Sequence, residues 1–387
     1  MADVTDAPFR QIIAERGKPD VMFTEFVSAD GLAVAPEKGR AKLLKGLVYS
    51  EGERPIVAQF FTADIEHMKK AVRLAVSLGF DGVDINMGCP DRTVEKQEAG
   101  AALMKNPALA RALIRAAIDE AEKIAKEDTR KAAERTERET AKKSASPIPI
   151  SVKTRIGYSE NDIETWLPAL LAERPAAITL HARTRKEMSD APAHWDVVKR
   201  AVEIRDEIFN HEKNHVSDDD AKDRGRPSYG VRTPVRTLIT GNGDVEDLTD
   251  AKAKAIETGA DGIMLGRAIF GNPWLFAGMR SSFPSISPSV RSTMLSPSKS
   301  SRLSIRQASG QKLISQKIEP KIKLATLLEH TRLFEKTFGR SKSFAVMKKH
   351  FKAYVAGWPG AADLRLKLME TKNADEVEDI IAPLIKK

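Results

Sequence analysis

The chain has 387 residues, 41% of them hydrophobic, which suits one large α/β domain with a smaller one beside it. No uncharged apolar run reaches bilayer length, and the first residues lack the basic-then-apolar order of a secretory signal, so neither membrane spanning nor export is expected. One cysteine excludes an intramolecular disulfide framework and any cysteine-rich zinc site, no metal is expected, and a net charge of +9 favours a polyanionic partner such as nucleic acid.

Short β-branched runs alternate with longer helical patterns, the order of a parallel sheet built from βαβ units. Seven runs read as strands, over 21–25, 56–60, 82–87, 148–154, 177–181, 236–241 and 262–265. Between the second and third, Ile65, Met68, Val72 and Val76 recur at helical spacing, which predicts a helix over 65–78 stopped by Gly79. The third run ends in Asn86-Met87-Gly88-Cys89-Pro90. Gly88 and Pro90 break regular structure, so the lone thiol is expected on a loop at a strand's C-terminal end rather than as an inert buried hydrophobe. A further helix opens with Asn106 as N-cap and Pro107 at its first position. It leads into 123–146, an insertion dense in Lys, Arg and Glu that reads as an extended, solvated helix.

The fourth and fifth runs end in polar residues, Lys153 with Arg155 and His181 with Arg183. With Cys89 they make three chemically able endings at the face where (β/α) barrels carry their sites. A polar insertion is expected over 210–232. The sixth and seventh runs then end in Gly241-Asn242-Gly243-Asp244 and Gly266-Arg267. Small residues let backbone N–H groups approach an anion closely and the arginine adds a bidentate partner, so these two ends suit a phosphorylated ligand. Residues 281–319, rich in Ser and basic residues, read as a disordered linker. From 320 to 387 apolar residues again fit helical faces, and Lys342, Lys348, Lys349, His350 and Lys352 form a basic set able to track phosphates. The expected architecture is an α/β TIM (β/α)8 barrel over 1–280, one strand short, followed by a small helical domain.

Taken together these segments resemble the tRNA-dihydrouridine synthases, nearest the bacterial B type. The likeness rests on Val4-Thr5-Asp6-Ala7-Pro8-Phe9-Arg10, Ala58-Gln59, the Asn86 to Pro90 block continuing to Gly100-Ala101-Ala102-Leu103-Met104, Lys153 with Arg155, and His181 with Arg183. It continues through Asn242-Gly243-Asp244, Gly266-Arg267 and Gly271-Asn272-Pro273-Trp274. The resemblance implies an FMN enzyme that reduces the C5=C6 bond of uridine in tRNA with NADPH as reductant. It implies Cys89 as the acid that protonates C5, and Lys153, His181 and Gln59 against the flavin ring. It also implies Asn242, Gly243, Asp244, Gly266 and Arg267 at the flavin phosphate. Asn86, Arg155 and Arg183 would meet the uracil, and Lys348 and Lys349 the RNA backbone. Met1 falls on the methionine that closes the family's first barrel strand and presents backbone to the flavin, so that strand is expected to be missing. The block Asp91-Arg92-Thr93-Val94-Glu95-Lys96 is more acidic than the family's usual basic run, which suggests altered contacts to RNA. A cytoplasmic monomer is expected, with a mitochondrial or nuclear location if the true start lies upstream. The rival readings are a flavin enzyme for a free pyrimidine, similar to dihydroorotate dehydrogenase, and a non-catalytic RNA-binding remnant.

Overall fold

The computed structural model describes residues 1–135, 146–215, 236–277 and 318–386. Among these, seven strands form one sheet in strict chain order: β1 (Met22–Ser28), β2 (Ile56–Phe61), β3 (Gly82–Met87), β4 (Ile150–Arg155), β5 (Ala177–His181), β6 (Leu238–Asn242) and β7 (Gly262–Met264). Every pairing is parallel. Helices return the chain between strands. They are α1 (Ala7–Gly17) before β1, α2 (Ala29–Val34) and α3 (Glu37–Leu44) before β2, and α4 (Ile65–Ser77) before β3. Next come α5 (Arg92–Glu95) and α6 (Pro107–Arg135) before β4, α7 (Ile163–Leu171) before β5, α8 (Trp195–His215) before β6 and α9 (Leu248–Thr258) before β7. The helical region is α10 (Pro320–Phe338), α11 (Ala345–Tyr354), α12 (Ala361–Glu370) and α13 (Ala374–Lys386).

The α/β barrel architecture expected from the sequence is thus present as a seven-stranded parallel sheet, with β1 and β7 as its edges among the described residues. Every residue of β3 is buried, because helices cover one face of a parallel sheet and strand side chains fill the other. No described helix is long and apolar enough to cross a membrane.

Most boundaries shift by only a residue or two, and two larger differences have a physical reason. β1 runs on to Ser28, past the charged Glu25 that was read as its end. The Glu25 carboxylate accepts from the Val4 N–H at 3.1 Å and lies 3.4 Å from Lys342 Nζ, so its charge is matched and the strand continues. The strand carries one extra residue between Phe23 and Phe26, and Thr24 Oγ1 there accepts the Gln59 N–H at 3.0 Å that the interrupted ladder leaves free. Helix α8 extends to His215 where a polar loop was expected from 210. Helix α6 carries the charged stretch as far as Arg135. Of the three expected insertions, 136–145, 216–232 and 281–317 lie outside the described residues.

The helical region is tied to the barrel through α1. The Asp6 side chain caps α1 by accepting from Phe9 N at 3.2 Å, and Phe9 stacks on His330 with ring centroids 5.1 Å apart. His330 and His350 meet edge to face at 4.5 Å, and Phe270 closes on His350 at 5.1 Å. Beside them the Lys342 ammonium reaches Asp3, Asp6 and Glu25 at 3.3, 3.4 and 3.4 Å. On the far side of α1, Arg10 and Glu53 form an ion pair of 2.7 Å with side chains only 2% and 1% exposed. Arg10 also donates to the carbonyls of Thr5 and Val48 at 3.0 and 2.6 Å, so its guanidinium is fully engaged.

Candidate active site

Alternation along the strands places the polar residues in tiers on the sheet's inner face, since partners in register point the same way. In the lowest tier Gln59, Asp84 and Ser151 are in register. Gln59 Nε2 donates to Asp84 at 2.7 Å and Ser151 Oγ donates to its other oxygen at 2.6 Å. Burial nonetheless pushes the Asp84 carboxyl up to about 6. Above it, Asn86 stands opposite Lys153 and Lys153 opposite Thr179. The top tier is Arg155, His181, Asn242 and Met264, each opposite the next.

Asn86 turns the chain from strand to loop. Its Nδ2 donates to Gln59 Oε1 at 3.2 Å, while its Oδ1 accepts the N–H groups of Gly88 and Cys89 at 3.1 and 2.9 Å. This Asx turn sets the half-buried Cys89 at the mouth of the sheet. Gly100, at φ +62°, lies so close beneath the loop that an added Cβ would sit 2.7 Å from the Cys89 carbonyl oxygen. The thiol packs beside Phe26, Phe61, Val94 and Ala99, and burial raises its pKa above the ordinary value, so it is protonated at neutral pH.

Lys153 makes no hydrogen bond or ion pair with any described residue, and burial pulls it down to about 8, with Arg155 adding to the effect. His181 is pulled down to about 2 by burial and then by the nearby Lys153, Arg155, Arg183 and Arg267 cations. Arg183 Nη1 lies 3.3 Å from His181 Nε2. A guanidinium only donates, so the neutral ring accepts there and carries its proton on Nδ1. A cation without a partner, next to an uncharged ring, is a place for an anionic or electron-rich ligand.

The two arginines expected at a uracil are both engaged by the protein. Arg155 donates to the carbonyls of Gly88, Thr184 and Met188, each at 2.9 Å, and so rivets the Cys89 loop to the loop after β5. Arg183 donates to Ala191 O at 2.5 Å and pairs with Asp244. Asp244 also pairs with Arg267, whose side chain is 64% exposed, and accepts from Ala193 N at 3.1 Å. Gly243 sits at φ +131°, where a Cβ would meet Ala193 and His181, so only glycine brings the backbone this close. Asn242 Nδ2 donates to Met264 O at 2.7 Å and ties β6 to β7. Gly266 faces Met1, whose sulfur would lie 3.8 Å from an added Cβ. The structure therefore gathers Gln59, Asn86, Cys89, Lys153, His181, Asn242, Gly243, Asp244, Gly266, Arg267 and Met1 at one end of the sheet. It leaves Lys348 and Lys349 on α11, where Lys349 is 3.9 Å from Asp3 and Lys348 pairs with no described carboxylate.

The family model for dihydrouridine synthases matches residues 1–130, 137–206 and 228–386. The chain is 30% identical over 383 residues to a probable tRNA-dihydrouridine synthase 2 of Bacillus subtilis, covering 98% of this chain and 91% of that one. It is also 30% identical to a probable tRNA-dihydrouridine synthase of Staphylococcus epidermidis, covering 98% and 90%. The chain belongs to the dihydrouridine synthase family. Among solved structures, morphinone reductase in complex with tetrahydroNAD is similar with a TM-score of 0.40 and 11% identity, over 74% of this chain and 85% of that one.

Within this dihydrouridine synthase, sequence reasoning missed the residues that hold the site from behind. Asp84 and Asn86 alternate on one strand face, a signal that two polar groups look into the sheet, but only Asn86 was singled out. Ser151 and Thr24 had no signal beyond their place in strands, because their hydrogen bonds are set by register between strands far apart in the chain.

Proposed function

We propose that this dihydrouridine synthase reduces uridine in tRNA to 5,6-dihydrouridine with FMN as cofactor and NADPH as the reductant that recharges it. The unpaired Lys153 ammonium, on the same inner face as a protonated Cys89, is the observation that carries the reading. The donor set fits a flavin phosphate and an anionic reduced ring. Arg267 and the glycine-lined backbone at Gly243 and Gly266 would hold the phosphate, and Lys153 with His181 and Gln59 would face the ring. A reduced flavin held there would supply the hydride for uracil C6.

The chain's own groups do the rest. Cys89 Sγ–H gives its proton to C5, so the C5=C6 bond gains one hydride and one proton, and the thiolate left behind recovers its proton from solvent. Asn86 orients the Cys89 loop through both backbone N–H groups and offers the same amide to the base edge. Arg155 and Arg183 act on the uracil through the loops they pin. A uridine in folded tRNA is reached only when swung out of its stack, and the basic helical region with Lys348 and Lys349 would hold the RNA meanwhile.

Purified protein should be yellow and should form dihydrouridine on unmodified tRNA while leaving free uracil and orotate untouched. Reduction of the free base alone would replace this reading with the free-pyrimidine one, and colourless protein that binds tRNA would favour the non-catalytic one.

A further inference from the structure

The acidic residue Glu95 lies six positions after Cys89 and is turned inward, its side chain 13% exposed. It ends α5, a short turn whose N-cap Asp91 accepts from the N–H groups of Thr93 and Val94 at 2.8 and 3.3 Å. Arg185, from the loop after β5, grips both Glu95 oxygens, Nε to Oε1 at 2.8 Å and Nη2 to Oε2 at 2.5 Å. Burial alone would raise the Glu95 carboxyl, and the Arg185 bonds outweigh it and hold the carboxyl below the usual range. The Tyr158 hydroxyl, from the loop after β4, also helps to lower the Glu95 carboxyl. The Tyr158 ring in turn lies under two cations, Lys105 Nζ at 3.8 Å from its centroid and the Arg185 guanidinium at 5.4 Å. The Arg185 N–H donates to Gly157 O at 2.9 Å, which closes the loops after β4 and β5 on each other.

We infer that Glu95 is a positioning residue that, through Arg185 and Tyr158, clasps the Cys89 loop to the two loops after β4 and β5 and so fixes where the thiol stands. Arg155 rivets the base of the same loop and Asn86 its first turn. Beyond Pro90, Glu95 is the outward end of the loop, and its bidentate bond is the one polar side-chain link from that end to the β5 side among the described residues. Released, α5 can swing away from the mouth of the sheet, which would uncover Cys89 and take its proton out of line. The inference rests on the proposed role of Cys89 only for its effect on turnover, because the placement of the thiol can be read separately.

The chain holds a single cysteine, so alkylation by iodoacetamide reports on Cys89 alone. In Glu95→Gln the limiting alkylation rate at high pH, where the thiol is fully ionised, should rise about tenfold, and kcat on tRNA should fall about tenfold with KM changed less than twofold. The double exchange Glu95→Arg with Arg185→Glu should recover part of both, and Arg185→Lys, which keeps the charge but loses the fork, should show the same changes in milder form. An alkylation rate within twofold of the parent in Glu95→Gln overturns the inference, whether or not kcat falls. If Glu95→Gln does not fold, Arg185→Lys decides by the same criterion. Full turnover by Cys89→Ala would instead remove the acid assignment and leave the alkylation result standing.

Discussion

At the candidate site, burial sets the state of both Cys89 and Lys153. The thiol's pKa is raised, so it stays protonated to a higher pH than a free cysteine. Turnover that needs this proton should hold through neutral pH and fall only above the ordinary thiol range. In Cys89→Ala, tRNA binding should persist while turnover falls by about 10²- to 10⁴-fold, the usual contribution of a placed acid. A single-turnover assay across alkaline pH checks both. Lys153, drawn down to about 8 without a ligand, should regain its proton when an anion arrives, so flavin affinity measured by fluorescence titration should weaken as pH rises past 8 and lose that dependence in Lys153→Met. Both residues were legible in the sequence because each is a reactive group at the C-terminal end of a strand. Arg155 and Arg183 show the limit of that reasoning. The carbonyls and carboxylate that hold them come from loops whose course no local pattern encodes.

At the scale of elements, all seven strands were legible from β-branched runs, and α4 was found to within a residue of its end. What was not legible is how α1 is fixed. The helix carries an Asp6 N-cap and a proline in its first turn, but the buried Arg10–Glu53 pair that anchors it joins residues 43 positions apart. Glu53→Ala would leave the Arg10 charge buried beside two carbonyls and no carboxylate, at a cost of about 3–5 kcal/mol. Equilibrium denaturation should show that loss, and Arg10→Met combined with Glu53→Leu should recover much of it, since an apolar pair leaves no uncompensated charge. Recovery by the double variant would distinguish a buried charge from a merely crowded site.

Across the whole molecule, the join between barrel and helical region turns on the His330 and His350 rings, both fully buried and without hydrogen-bond partners among the described residues. Burial holds His330 well below its ordinary value and His350 at about 3, so both are neutral in the folded protein. Below pH 6.5 the unfolded chain binds protons that the folded one does not, so stability should fall with pH by about 1.4 kcal/mol per unit per histidine. Asp6 acts in the opposite sense, since burial pushes its carboxyl up to about 6 and its protonation favours the folded state as pH drops. Melting midpoints between pH 7 and 5 should therefore drop less steeply in His330→Phe than in the parent. The sheet itself grows in chain order, each strand beside the one before it, so a chain leaving the ribosome can assemble β1 to β7 as they emerge. Helix α1 is not yet fully packed at that point. Phe9 and Asp6 find His330 and Lys342 only after more than three hundred further residues have been made, so α1 is locked in place long after the strands that follow it can pair.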